Sequence, residues 1–239
     1  MDNDGMWSVL LAITILVLLL HSIYQMIATA PEQPLTPLPP SMALCKAKCL
    51  MGNGDILLCY PRRGGGSFLM RTWSELISAV TRSFSEHISV LVCDPVSGRL
   101  MVLENSNPMT RLMSIEEYIQ VSHDKGLYVM WRPLRDGGIP RATTDRILPL
   151  VLGRWFPTPF QMFLQHIMSM MGMPPVVGNP TCIRLTLYVL QEGGVIPAHV
   201  NTLGWTTDRL SSRCWPADDV IGPEFELTLA TSVAERHGR

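Results

Sequence analysis

The sequence predicts an α+β fold, an antiparallel sheet packed against helices, preceded by one transmembrane helix. Three observations carry this. Residues Met6 to Ala30 contain no charged side chain and are mostly apolar, which meets the roughly 20 residues needed to cross a bilayer's hydrocarbon core. Farther on, short runs rich in Val, Ile and Leu alternate with Gly, Pro and Asp turns, the pattern of hairpin strands. Finally, Thr72-Trp73-Ser74-Glu75 and Ser114-Ile115-Glu116-Glu117 have capping-box spacing, which opens helices by satisfying their first N–H groups.

The 239 residues suffice for one well-cored domain with appendages. A formal net charge of −1 with only 16% charged residues gives no nucleic-acid surface. The domain order expected is an N-terminal flank at 1–5, an anchor at 6–30, a linker at 31–44, a folded body at 45–197 and an irregular extension at 198–239. Within the anchor, Trp7 to Leu20 is almost wholly apolar. A cleaved signal peptide is the rival reading, because Ala28-Thr29-Ala30 has the small residues of a cleavage box. Against it, the leading segment carries Asp2 and Asp4 with no Lys or Arg, and Pro31 follows the cut. An uncleaved single-pass anchor in the lipid bilayer is the better reading. Lys46, Lys48, Arg62 and Arg63 follow the span, which places the C-terminal domain in the cytosol by the positive-inside rule. Prolines 31, 34, 37, 39 and 40 make the linker an extended spacer.

In the body, Gly54-Asp55-Ile56-Leu57-Leu58-Cys59 reads as a buried strand opened by a turn. The loop Arg62 to Gly66 lacks the Lys-Ser/Thr of a phosphate loop. A helix opening at Thr72 places Leu76, Ile77, Val80 and Phe84 on one face. Glu86 to Cys93 and Arg99 to Asn105 flank Asp94-Pro95-Val96-Ser97-Gly98 and form a hairpin. Pairing Cys93 with Arg99 sets Ile88 opposite Glu104 and His87 opposite Asn105, so His87 and Glu104 are close cross-strand neighbours. A carboxylate beside an imidazole fixes its tautomer and raises its basicity; the plainer alternative is a polar pair at a sheet edge. Ser114 opens a short helix through Tyr118 to Gln120, and Leu127 to Arg132 is a strand antiparallel to the hairpin. Residues 137–157 read as loop around a short apolar run, followed by a helix from Phe160 to Met171. In the extension, His199 and Trp205 are candidates to line a cleft.

Asn179-Pro180-Thr181-Cys182 then opens the last helix, with Asn179 or Thr181 as cap and Gly193-Gly194 as stop. Cys182 falls in its first turn, where unpaired N–H groups and the helix dipole favour a thiolate and can hold an oxyanion. Cysteine is also a small and commonly buried hydrophobe, so helix position alone leaves both roles open. The six cysteines (45, 49, 59, 93, 182, 214) are expected as free thiols in a cytosolic body. Cys45 and Cys49 lack a clear second ligand pair, so no metal site is expected, with a zinc module on Cys45, Cys49 and a histidine as the minor alternative.

The ordered set of Gly-Asp strand, His strand, Glu strand, capped short helix, strand and Cys helix resembles the circularly permuted branch of the papain-like cysteine hydrolases. This NlpC-type superfamily includes YiiX-like and lecithin–retinol-acyltransferase-like proteins and members from large DNA viruses. The matching residues are Gly54 to Leu58, His87 to Val92, Leu103-Glu104, Ser114 to Tyr118 and Cys182. Where many relatives follow the cysteine with a small residue and a glutamate, this chain has Ile183 and Arg184. The resemblance implies a permuted papain-like fold and a Cys182–His87–Glu104 site. Cys182 would be the nucleophile, His87 the base and Glu104 its orienting partner, acting through a thioester without cofactor. It also implies a peptide or lipid acyl substrate, cleaved or transferred at a membrane. The competing expectation is a non-catalytic structural membrane protein, such as a virion component, built on the same fold.

Overall fold

The computed structural model describes residues 39–61, 87–135, 138–158, 161, 181–202, 205, 207–211, 215 and 218–229. The anchor at 6–30, the loop at 62–66, the helices expected from Thr72 and Phe160, and Asn179, Pro180 and Cys214 lie outside them. Among the described residues, no helix is long and apolar enough to cross a membrane.

The fold is mixed α+β. Its elements are β1 (Ser41–Ala43), α1 (Leu44–Ala47), β2 (Ile56–Pro61), β3 (His87–Cys93), β4 (Leu100–Asn105) and β5 (Thr110–Met113). These are followed by α2 (Ile115–Asp124), β6 (Leu127–Arg132), α3 (Arg141–Val151), α4 (Cys182–Glu192), a 3-10 turn (Thr207–Leu210) and β7 (Phe225–Thr228). Seven strands among the described residues make one sheet in the order β1-β7-β6-β2-β3-β4-β5. All neighbours are antiparallel except β1 and β7, which run parallel.

Alternation along the strands sorts their side chains onto two faces. One face carries Ile56, Leu58, Ile88, Val90, Val92, Leu103 and Met130, packed with Ile147 and Leu148 of α3 and Leu185, Val189 and Leu190 of α4. The other carries Leu57, Cys59, Leu91, Val102, Val129 and Trp131, packed with Leu44 and Ala47 of α1 and Ile115, Tyr118 and Ile119 of α2. The sheet is therefore buried on both sides. α2 begins where its sequence says it should, because the Ser114 hydroxyl accepts a hydrogen bond from the Glu117 N–H at 3.1 Å. α4 ends at Gly193, and Gly194 supplies the left-handed residue beyond it with φ 77°.

Several sequence expectations are corrected. β6 pairs with β2 rather than with the hairpin. Residues 141–151 are helical although Pro149 lies inside the segment; Ile147, Leu148 and Val151 anchor it to the core. Residues 198–239 are not an irregular extension throughout, because β7 inserts between β1 and β6. Arg132 explains how that segment is held. Its fully buried guanidinium donates to the carbonyls of Leu210 (2.6 Å), Gly222 (3.1 Å) and Trp215. Nor does the linker extend to residue 44, since Ser41 to Ala43 already pair with Glu226 to Thr228.

Candidate functional site

Cys182 is the first residue of α4, and Thr181 occupies the cap position in extended conformation without a side-chain cap bond. The N–H groups of Ile88, Ile183 and Cys182 itself draw the thiol's pKa down, yet burial outweighs them and holds it above the ordinary value. Nearby Glu104 acts in the same direction as burial. The expectation of a thiolate at the helix start is thus corrected. A few oriented amides do not offset the cost of placing a charge against this apolar face.

His87 opens β3, with 19% of its side chain still in solvent. Burial pushes its pKa down to about 4; the Glu104 carboxylate opposes this and Lys125 reinforces it. At neutral pH the ring is a neutral base. The hairpin register is Val90↔Leu103 to Cys93↔Leu100, one residue away from the register expected. Continued past Val90, it sets Glu104 opposite Ser89 and makes His87 its diagonal neighbour on the same face. The expected neighbours do meet, with His87 Nε2 3.9 Å from Glu104 Oε1.

Glu104 is not reserved for His87. Arg111, directly opposite on β5, donates from Nε to Glu104 Oε2 at 3.0 Å. The two carboxylate oxygens thus face different cations-in-waiting: a permanent guanidinium and an imidazole that becomes charged only when it takes a proton. Ser89 Oγ lies 3.3 Å from His87 Nε2 and donates to Tyr118 Oη at 3.1 Å. Tyr118 Oη in turn lies 3.2 Å from Cys59 Sγ. Sequence reading missed Ser89, Tyr118, Cys59 and Arg111. The usable signal was period two: Ser89 shares the His87 face, and Arg111 the Glu104 face.

By parity, His87 and Glu104 stand on the α2 face of the sheet, while α4 carrying Cys182 packs on the other. The link between the two sides is the Ile88 amide, which acts on the Cys182 sulfur and belongs to the residue that follows His87 in β3. The remaining candidates are less involved. His199 is exposed, and Trp205 packs against the α4-side core. Cys45 and Cys49 are exposed free thiols. Among the described residues, no cluster of three or more His, Cys, Asp or Glu is placed to hold a metal.

Among solved structures, the chain is similar to the metalloprotein YiiX from Escherichia coli O157:H7. The TM-score is 0.41 and the identity 14%, covering 77% of this chain and 92% of that one. At that level the likeness assigns neither family nor activity. No family model and no curated protein sequence matches the chain.

Proposed function

We propose that the domain is a thiol hydrolase or acyltransferase that cleaves an amide or acyl-ester bond through Cys182, His87 and Glu104. One observation carries the reading: a neutral imidazole beside a buried carboxylate begins the strand whose next amide acts on a helix-start thiol. His87 Nδ1 takes the Cys182 proton as sulfur bonds to the acyl carbon and the carbonyl electrons move onto oxygen. The helix-start N–H groups of Cys182 and Ile183, which act on the sulfur in the resting state, would receive that oxyanion. Collapse expels the amine or alcohol, which leaves with the proton from His87, and a thioester remains on Cys182. Water, or an acceptor alcohol or amine, then gives its proton to His87 and displaces the thiol. Because both groups rest neutral, His87 acts as a general base during attack rather than as half of a standing ion pair. Glu104 stabilises the imidazolium formed on the way.

The segment 6–30 would hold this chemistry at a bilayer, with the domain on the cytosolic side. Full-length protein is then expected in the membrane pellet after alkaline carbonate washing; recovery in the supernatant would remove the anchor.

The second reading is a non-catalytic membrane protein on the same scaffold. Two observations favour it: Arg111 already engages Glu104, and burial keeps the Cys182 thiol protonated. Incubating the full-length chain with p-nitrophenyl esters and matching anilides of short and long acyl chains separates the two. The enzyme reading expects product release with a thioester mapped to Cys182 and abolished by Cys182→Ser. The scaffold reading expects no adduct at Cys182.

A further inference from the structure

The α2 face holds a polar chain that the proposed reaction does not itself consume. It runs from His87 Nε2 to Ser89 Oγ (3.3 Å), on to Tyr118 Oη (3.1 Å) and then to Cys59 Sγ (3.2 Å), which in turn lies 3.8 Å from Ser122 Oγ. Ser89, Tyr118, Cys59 and Ser122 are all buried, at 1%, 2%, 0% and 5% exposure. Four polar side chains in a row within a sheet–helix interface are costly unless each one's hydrogen is spent on the next. The direction of the chain is therefore constrained. The Ser89 hydroxyl has one hydrogen and gives it to Tyr118. Toward His87 it can then only accept, which requires the hydrogen of the neutral ring to sit on Nε2 and leaves Nδ1 as the basic nitrogen. Beyond Tyr118, the contact with Cys59 Sγ at 3.2 Å can run in either direction.

We propose that Ser89 and Tyr118 are positioning residues that fix neutral His87 as the Nε2–H tautomer through a one-way hydrogen-bond chain from the imidazole through Ser89 to Tyr118. The inference rests on His87 being the base for Cys182, and it adds how the correct nitrogen is kept without a proton. The Glu104 carboxylate, 3.9 Å from the same Nε2, favours the same tautomer because it is acceptor-only. Tyr118 sits beside the imidazole, with ring centroids 6.4 Å apart, and its hydroxyl reaches the ring nitrogen through Ser89. Its influence passes through the orientation of one hydroxyl. Removing the Tyr118 oxygen leaves the Ser89 hydrogen without an acceptor, and it turns to the nearest one, His87 Nε2. The ring must then carry its hydrogen on Nδ1, the nitrogen that has to accept the thiol proton.

The test is nuclear magnetic resonance of the full-length chain isotope-labelled at the histidine nitrogens, at neutral pH without substrate. His87 is identified by its loss in His87→Gln. The wild type is expected as the Nε2–H tautomer. Tyr118→Phe, which keeps the ring, is expected to invert the preference, and Ser89→Ala to weaken it by about fivefold, the worth of one ordinary hydrogen bond. A wild type found as Nδ1–H overturns the proposal outright. So does an unchanged tautomer in a folded Tyr118→Phe, or in Ser89→Ala if the tyrosine variant does not fold. Because the readout is the resting ring, it stands or falls separately from acylation of Cys182. A merely structural Tyr118 would lower stability and leave the tautomer where it was.

Discussion

On the α4 side of the sheet, strands β2, β3 and β4 present mainly hydrocarbon, Ile56, Leu58, Ile88, Val90, Val92 and Leu103, with Tyr60 and the buried Asn105 toward the strand ends. On the α2 side, the same strands present Cys59, His87, Ser89 and Glu104 among Leu57, Leu91 and Val102. The dry face sets the state of Cys182. Burial beside those side chains keeps its thiol protonated even though it begins a helix. The polar face sets the state of His87, giving it a carboxylate and a hydroxyl while still leaving it neutral. In the proposed reaction, the nucleophile from one environment and the base from the other would have to cooperate at the first residues of β3. The proposed site would then be an edge feature, positioned by strand parity rather than by a shared face.

The comparison predicts unequal responses to substitution. The largest loss is expected on the dry face. Leu185→Ala, at a residue 2% exposed, should cost about 2–5 kcal/mol through lost transfer energy and an unfilled cavity, read as a lower denaturant midpoint. A cost within a few tenths would mean α4 is not packed as described.

Acid comes next. The His87 ring takes a proton less readily folded, at about 4, than unfolded, at about 6.5. The unfolded state therefore binds more protons between those values, so stability is full above pH 6.5 and declines as pH falls toward 4. The loss is up to about 3 kcal/mol, and water reaching the exposed part of the ring should reduce it. The measurement is the difference between wild type and His87→Gln across that window, which cancels the carboxylates. Glu104→Gln should lower the His87 pKa further, since the carboxylate favours the imidazolium. An upward or null shift in an NMR titration would show that Glu104 does not act on the ring.

The polar face itself should be more forgiving. Ser89→Ala removes one buried link and should cost about 1 kcal/mol. Smallest is Arg111→Gln. Its ion pair with Glu104 is cross-strand, and the arginine side chain is 45% exposed, so a change of at most about 1 kcal/mol is expected in thermal or denaturant unfolding.

Much of this was legible in the sequence where a local rule was strong. The Ser114 capping box, the Gly193-Gly194 stop, the apolar run of β2 and the Asp94-to-Gly98 turn each named their own element. The hairpin register slipped by one because the turn closes between Asp94 and Arg99, whose backbone atoms hydrogen-bond at 2.8 Å, rather than between Cys93 and Arg99. α3 was illegible because its cap position is Pro140, with no side-chain cap bond, and Pro149 interrupts its pattern. β7 is four residues long and carries a buried Glu226, so neither length nor alternation announces it. Only the neighbouring β1 and β6 make it a strand. The protonation state of Cys182 was misread for a related reason: helix position is local, whereas the burial that outweighs it comes from β3 and β4, far away in the chain.

The central claim is that Cys182 and His87 work as one unit across the end of β3. It is tested most directly by the rate at which an activated acyl ester acylates Cys182 at neutral pH, resolved by site with mass spectrometry, in the wild type and in His87→Ala. If His87 removes the thiol proton, the substitution should slow acylation at Cys182 by about 10²–10⁴-fold and leave the exposed thiols of Cys45 and Cys49 unaffected. An equal rate at Cys182 in both proteins, or acylation confined to Cys45 and Cys49, would contradict it.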